Sequence, residues 1–160
     1  MLFNSFEYAI FFIIVAFTYF ILPYKYRNYL LLVSSLYFYM SWSVKYGLLM
    51  LLSISITYLA SLIIQGSENK ALRRTTMFAS LAINLGILFV FKYFNFFASS
   101  VRSLGIDFVP LNVLLPVGIS FYTFQALGYT VDVYRKDIAV ERNFLQYTLF
   151  VSFFPQLVAG

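Results

Sequence analysis

Six stretches of this chain carry no charged side chain: 8–24, 28–44, 46–67, 75–91, 108–131 and 143–160. Each approaches the roughly 20 residues that a helix needs to cross a hydrocarbon core. Soluble domains scatter their charges, which make up about a quarter of their residues. Here 11% of the residues are charged and 62% are hydrophobic. Charge segregated in this way predicts an all-α fold, a polytopic transmembrane bundle of five to six membrane segments. No flexible linker or internal repeat divides it, so residues 1–160 read as one membrane domain.

The first run reads as a retained helix. Glu7 stands at its start, and Pro23-Tyr24-Lys25-Tyr26-Arg27 follows it where a signal peptide would show small residues for cleavage. The net charge of +5 is distributed as topology requires. Lys25, Arg27, Lys70, Arg73, Arg74, Arg135, Lys136 and Arg142 fall in alternate connections; only Lys45, Lys92 and Arg102 fall in the others. Basic residues concentrate on the cytoplasmic side of membrane proteins. The pattern predicts a multi-pass membrane protein with its basic connections cytoplasmic and its N-terminus outside. The lipid bilayer, not nucleic acid, is the partner these charges fit.

Within that frame the helices fall at about Tyr8–Leu22, Asn28–Ser43, Gly47–Gln65 and Thr75–Phe91. Tyr37, Tyr39, Trp42 and Tyr46 form an aromatic group at one end of the second helix, where amphipathic rings mark an interface. Ser53, Thr57 and Ser61 recur at four-residue spacing, which lets another helix approach closely. Packing explains them better than a pore lining. Asn84 reads as an interhelical hydrogen bond, and Lys92 as an interfacial anchor with its stem in lipid.

The run 108–131 is the most polar of the six. At roughly 100° per residue, Gly118, Tyr122, Gln125, Tyr129 and Asp132 share an arc of about 80°. Phe124, Leu127 and Val131 lie opposite, towards lipid. Polar groups at membrane depth must meet other helices or a watery cavity. Tyr122, Gln125, Tyr129 and Asp132 are therefore cavity-lining candidates, with Gln156 in the last run beside them; packing is the competing role for the tyrosines. Pro116 and Gly118 are expected to break the segment or make it partly re-entrant. Ser120 is expected to bond to its own preceding backbone, and Asp132 to pair with Arg135.

The stretch Leu115-Pro116-Val117-Gly118-Ile119-Ser120-Phe121-Tyr122-Thr123-Phe124-Gln125, continuing through Tyr129-Thr130-Val131-Asp132-Val133-Tyr134-Arg135, resembles the membrane-bound O-acyltransferase (MBOAT) family. The similarity is to its alginate O-acetyltransferase branch. Leu2-Phe3-Asn4-Ser5, Tyr26-Arg27-Asn28, Lys92-Tyr93-Phe94-Asn95-Phe96 and Phe154-Pro155-Gln156-Leu157-Val158-Ala159-Gly160 match in family order. The resemblance implies transfer of an acyl group, usually acetyl, from a cytoplasmic thioester such as acetyl-CoA. The acceptor would be a hydroxyl on an extracytoplasmic polysaccharide, reached with an extracytoplasmic acetyl-carrier protein as partner. Arg135, Lys136 and Arg142 are the candidates for the donor's phosphates, with membrane topology as the simpler explanation of their charge.

The chain contains no cysteine and no histidine. Thiolate and imidazole metal sites are thereby excluded, and no metal or bound cofactor is expected. Acyl transfer to a hydroxyl calls for a proton acceptor that titrates near working pH, and histidine is the common one. By resemblance, the family's catalytic histidine falls beyond residue 160. The chain then corresponds to the N-terminal part of a larger MBOAT-type domain, with no catalytic residue of its own and no activity alone. Asp132 is the one carboxylate adjoining the polar stripe. A transporter or channel, or a non-enzymatic scaffold, is the alternative reading of the same helices.

Overall fold

The computed structural model describes residues 6–94, 116 and 118–159. All its regular elements are helical. They run α1 (Phe6–Ile21), α2 (Tyr24–Met40), α3 (Val44–Gly66), α4 (Lys70–Leu88), a π-helical turn (Phe89–Tyr93), α5 (Ile119–Arg135), α6 (Phe144–Ser152) and α7 (Phe154–Ala159).

Local chemistry sets the boundaries. Pro23 fixes the residue before α2 in extended geometry and ends α1 (φ −55°, ψ 145°). Arg27 seals that corner: its Nε donates to the Leu22 carbonyl at 3.0 Å, and its guanidinium lies 5.0 Å from the centre of the Tyr19 ring. The Asn69 side chain accepts from the Ala71 and Leu72 amides, and the Asn143 side chain from those of Leu145 and Gln146. Each asparagine satisfies amides that a helix start leaves unpaired. At the end of α5 the Asp137 amide donates to the Asp132 carbonyl and the Lys136 amide to that of Val133. This paired closure needs a left-handed residue, and Lys136 supplies it at φ 68° where glycine is usual.

Helix α3 is the centre of the bundle, packed on α2, α4, α5 and α6. Its expected stripe is buried, and each hydroxyl meets a different neighbour. Ser53 donates to the Asn84 amide oxygen on α4. Thr57 accepts from the Tyr147 hydroxyl on α6 at 2.8 Å. Ser61 lies 3.5 Å from the Thr130 hydroxyl on α5. Packing is thus what these residues do, and Asn84 makes the interhelical bond expected of it. Around them Met50, Ile54, Leu88, Ile119, Tyr122, Ala126, Val151 and Leu157 form one apolar core. A second, aromatic core joins α1, α2 and α7: Phe154 sits among Tyr8, Phe11, Phe12 and Phe38 at centroid separations of 5.4–6.4 Å.

The outward surface is apolar. On α1, Phe6 is 83% exposed and Phe20 76%. A patch of this kind needs lipid or protein against it. Among the described residues two helices are long and apolar enough to cross a membrane, Val44–Gly66 and Lys70–Tyr93. Helix α1, with 16 residues, reaches only about 24 Å at 1.5 Å per residue. The predicted all-helical bundle is observed, but not its count of five to six segments. One reason lies in the last run, which breaks at Phe153 into two short helices.

Candidate functional site

The predicted re-entrant segment lies in part outside the described residues, at 108–115 and 117. What is described begins at Pro116 and turns through Gly118, which adopts the left-handed conformation (φ 71°) directly before α5. A Cβ there would stand 2.9 Å from the Leu157 carbonyl oxygen, so only glycine lets α5 start against α7. From Ile119 the helix is unbroken to Arg135, and Asp132 is inside it, not at the mouth of a loop.

The buried face of α5 is not the predicted one. It holds Ile119, Tyr122, Thr123, Ala126, Leu127, Thr130 and Val133. Its centre lies about 100° around the axis from the Gly118–Asp132 stripe. Leu127, expected towards lipid, is 5% exposed. The small residues Thr123, Ala126 and Thr130 explain the rotation, because they admit α3 and α4 at close range. Phe124 does point outward, as expected.

The polar stripe consequently lies along the margin between α5 and α6. Tyr122 is fully buried; its ring meets that of Tyr39 edge-on at 6.3 Å. Their hydroxyls approach, yet the Tyr122 hydroxyl makes no hydrogen bond of ordinary geometry. Tyr39, expected at an interface, is therefore part of the core. Gln125 donates from Nε2 to the Phe150 carbonyl at 2.8 Å. That carbonyl is available because the chain breaks at Phe153: the Phe154 amide, its regular helical partner, bonds the Ser35 hydroxyl on α2 at 3.2 Å instead. The other amide atom of Gln125, Oε1, is buried without a partner, as is the Ser152 hydroxyl at the end of α6. Tyr129 stacks obliquely on Tyr147 at 4.7 Å and accepts from the Glu141 amide at 2.6 Å.

Other expected pairings differ. Arg135 pairs with Asp137 at 3.1 Å and not with Asp132, because the helix end turns Asp137 back onto it. Ser120 accepts from the Lys92 ammonium at 2.8 Å, and its expected bond to the preceding backbone falls in part on residue 117, outside the described residues. Lys92 stands in the π-helical turn and is thereby tied to α5, beyond any anchoring role. Gln156 is exposed on α7. Of the three donor-phosphate candidates, Arg135 and Lys136 share a hollow with Lys70 and Arg73. Arg142 is held apart, its carbonyl accepting from Tyr58. In the sequence Lys70 and Arg73 belong to the basic turns that topology explains most simply; the structure sets them beside Arg135 and Lys136.

An all-α bundle that turns apolar side chains outward and ties its helices through buried hydroxyls and amides is the class that fold and site define. Over 148 residues the chain is 33% identical to the probable alginate O-acetylase AlgI of Azotobacter vinelandii, covering 89% of this chain and 30% of that one. It is 36% identical over 149 residues to the probable alginate O-acetylase AlgI of Pseudomonas aeruginosa, covering 89% and 28%. With the peptidoglycan O-acetyltransferase of Helicobacter pylori it shares 33% identity over 144 residues, covering 74% and 27%. The chain belongs to the MBOAT family of O-acetyltransferases. It spans about 30% of the length of these relatives. No family profile and no solved structure matches it.

Proposed function

We propose that this chain is part of a membrane-embedded O-acetyltransferase that moves an acetyl group from a cytoplasmic thioester, such as acetyl-CoA, to hydroxyls of an extracytoplasmic polysaccharide. The reading rests on its similarity to alginate and peptidoglycan O-acetyltransferases over most of its length. Residues 1–160 serve as one unit of a larger membrane domain in the bacterial cytoplasmic membrane, with the N-terminus outside. The donor arrives at the end bearing the basic turns; a carrier protein outside passes the acyl group to the polymer.

The α5–α6 margin contributes the polar lining of the transfer path. Among the described residues, Gln125 Oε1 on α5 and the Ser152 hydroxyl at the end of α6 are buried and unpaired. Buried polar atoms are nearly always bonded, so exceptions call for an explanation. An acyl carbonyl or an acceptor hydroxyl passing between α5 and α6 would meet one donor and one acceptor there. The chain itself has no histidine to take the proton, and its role here is to shape and line the path.

Deletion of the gene in its native host tests the reading. Base-labile acetate on the surface polysaccharide should fall, and return with the wild-type gene but not with Gln125→Leu at equal membrane abundance. Unchanged acetate in the deletion strain would refute it.

A further inference from the structure

At the end of the bundle where the α3–α4 and α5–α6 turns meet lies a hollow of about 270 Å³ lined by Lys70, Arg73, Tyr134, Arg135 and Lys136. Four cations and no carboxylate line it. Arg73 is already fixed in place: Nη2 donates to the Tyr134 carbonyl at 2.7 Å, and the guanidinium lies 5.6 Å from the Tyr134 ring centre. Its Nε is buried and has no hydrogen-bond partner. Asp137 answers Arg135 alone, so Lys70, Arg73 and Lys136 form no ion pair among the described residues. Cations gathered this closely repel one another. A group with several anionic oxygens removes the repulsion and uses the idle Arg73 donor.

Phosphate has that chemistry, and the surroundings favour one source of it. From the hollow, α4 leads away with an apolar outer face on which Leu72, Phe78 and Ile83 are about half exposed. A free anion makes no use of that face; an amphipathic one does. We propose that the hollow binds the phosphate of an anionic phospholipid whose acyl chains lie along α4. Basic clusters at a membrane end attract such lipids, each cation contributing attraction near the surface. The hollow opens into a cleft of about 590 Å³ that shares Lys70, Arg73 and Lys136 with it, and Glu68 and Asp137 on the far side of that cleft offset part of the positive charge.

The purified chain, examined by native mass spectrometry in detergent, should retain phosphatidylglycerol in preference to phosphatidylcholine. Lys136→Gly removes one cation at a position whose left-handed backbone suits glycine, so the fold is kept. It should weaken phosphatidylglycerol binding about fivefold, and Lys70→Gln/Lys136→Gly by about 25-fold. Lys45→Gln, at the opposite end of α3, should change nothing. Excess coenzyme A or inorganic phosphate should fail to displace the lipid. Equal retention of the two lipids, full binding by the double variant, or displacement by coenzyme A or phosphate would each overturn the assignment. These outcomes are independent of acetyl transfer.

Discussion

Replacing Gly118 by alanine adds one methyl group where two separate constraints meet. A non-glycine residue held in the left-handed region costs about 1–2 kcal/mol. The new Cβ would stand 2.9 Å from the Leu157 carbonyl oxygen, a backbone atom that no rotamer change can move aside. Forcing an extra carbon into a packed site adds about 1–3 kcal/mol. The sum is about 2–5 kcal/mol, a large part of a typical domain's stability. Gly128→Ala on the same helix is the control. Nothing lies within 4 Å of its added Cβ, the position is exposed, and alanine in a helix interior is favoured by about 0.5–1 kcal/mol. The two variants should therefore move in opposite directions. Unfolding in dodecyl sulfate titrations, followed by far-ultraviolet circular dichroism, reads both. Gly118→Asn separates the causes, since asparagine tolerates the left-handed region better than alanine but carries the same Cβ. Equal stabilities for Gly118→Ala and Gly128→Ala would show that α5 does not start against α7 as described.

Gln125→Leu should lower stability by about 0.6–2 kcal/mol in the same titration, the measured range for interhelical bonds in membranes; no change would mean the bond to Phe150 is not formed. Leu127→Gln should cost more than Gln125→Leu, because it buries an amide in the core; a neutral result would restore Leu127 to the lipid side. Expressed alone, the 160-residue chain should neither acetylate a polysaccharide nor hydrolyse acetyl-CoA, since it lacks histidine; turnover lost in Asp132→Asn would make that carboxylate a base. The chain has no native cysteine, so Asn69→Cys and Val44→Cys report opposite ends of α3; the first should react only from the cytoplasm and the second only from outside. Labelling of both from one side would refute the charge-based topology.

The helical class was legible because segregated charge leaves few other folds open. The α3 stripe was legible too: Ser53, Thr57 and Ser61 are polar and small, so one rule reads them. The rotation of α5 was not. Polarity drew attention to Gln125 and Tyr129, whereas Thr123, Ala126 and Thr130 decided the contact face by size. Spacing rules treat a threonine as polar when its hydroxyl is silent; Thr130 donates to the Ala126 carbonyl of its own helix at 3.0 Å. The Gln125–Phe150 bond was hidden for another reason. It depends on a carbonyl released when the Phe154 amide turns to Ser35, a contact between residues 119 positions apart. Likewise the hollow needs Arg73 and Tyr134, 61 positions apart, to be seen together.

The way the α3 hydroxyls are bonded bears on the order in which a ribosome delivers this chain. Thr57 donates to the Ser53 and Ile54 carbonyls, and Ser61 to that of Thr57, within a single helix. Newly made α3 can thus pass into lipid with both of these protons already placed, before α5 and α6 have been synthesised. What remains open is lone pairs, and the Tyr147 hydroxyl claims one on Thr57 when it arrives. Ser53 differs, since its proton goes to Asn84, but α4 is the next helix to emerge. The wait for each partner matches the need for it, and the helix at the centre of the bundle is among those able to enter the membrane early and stand there alone.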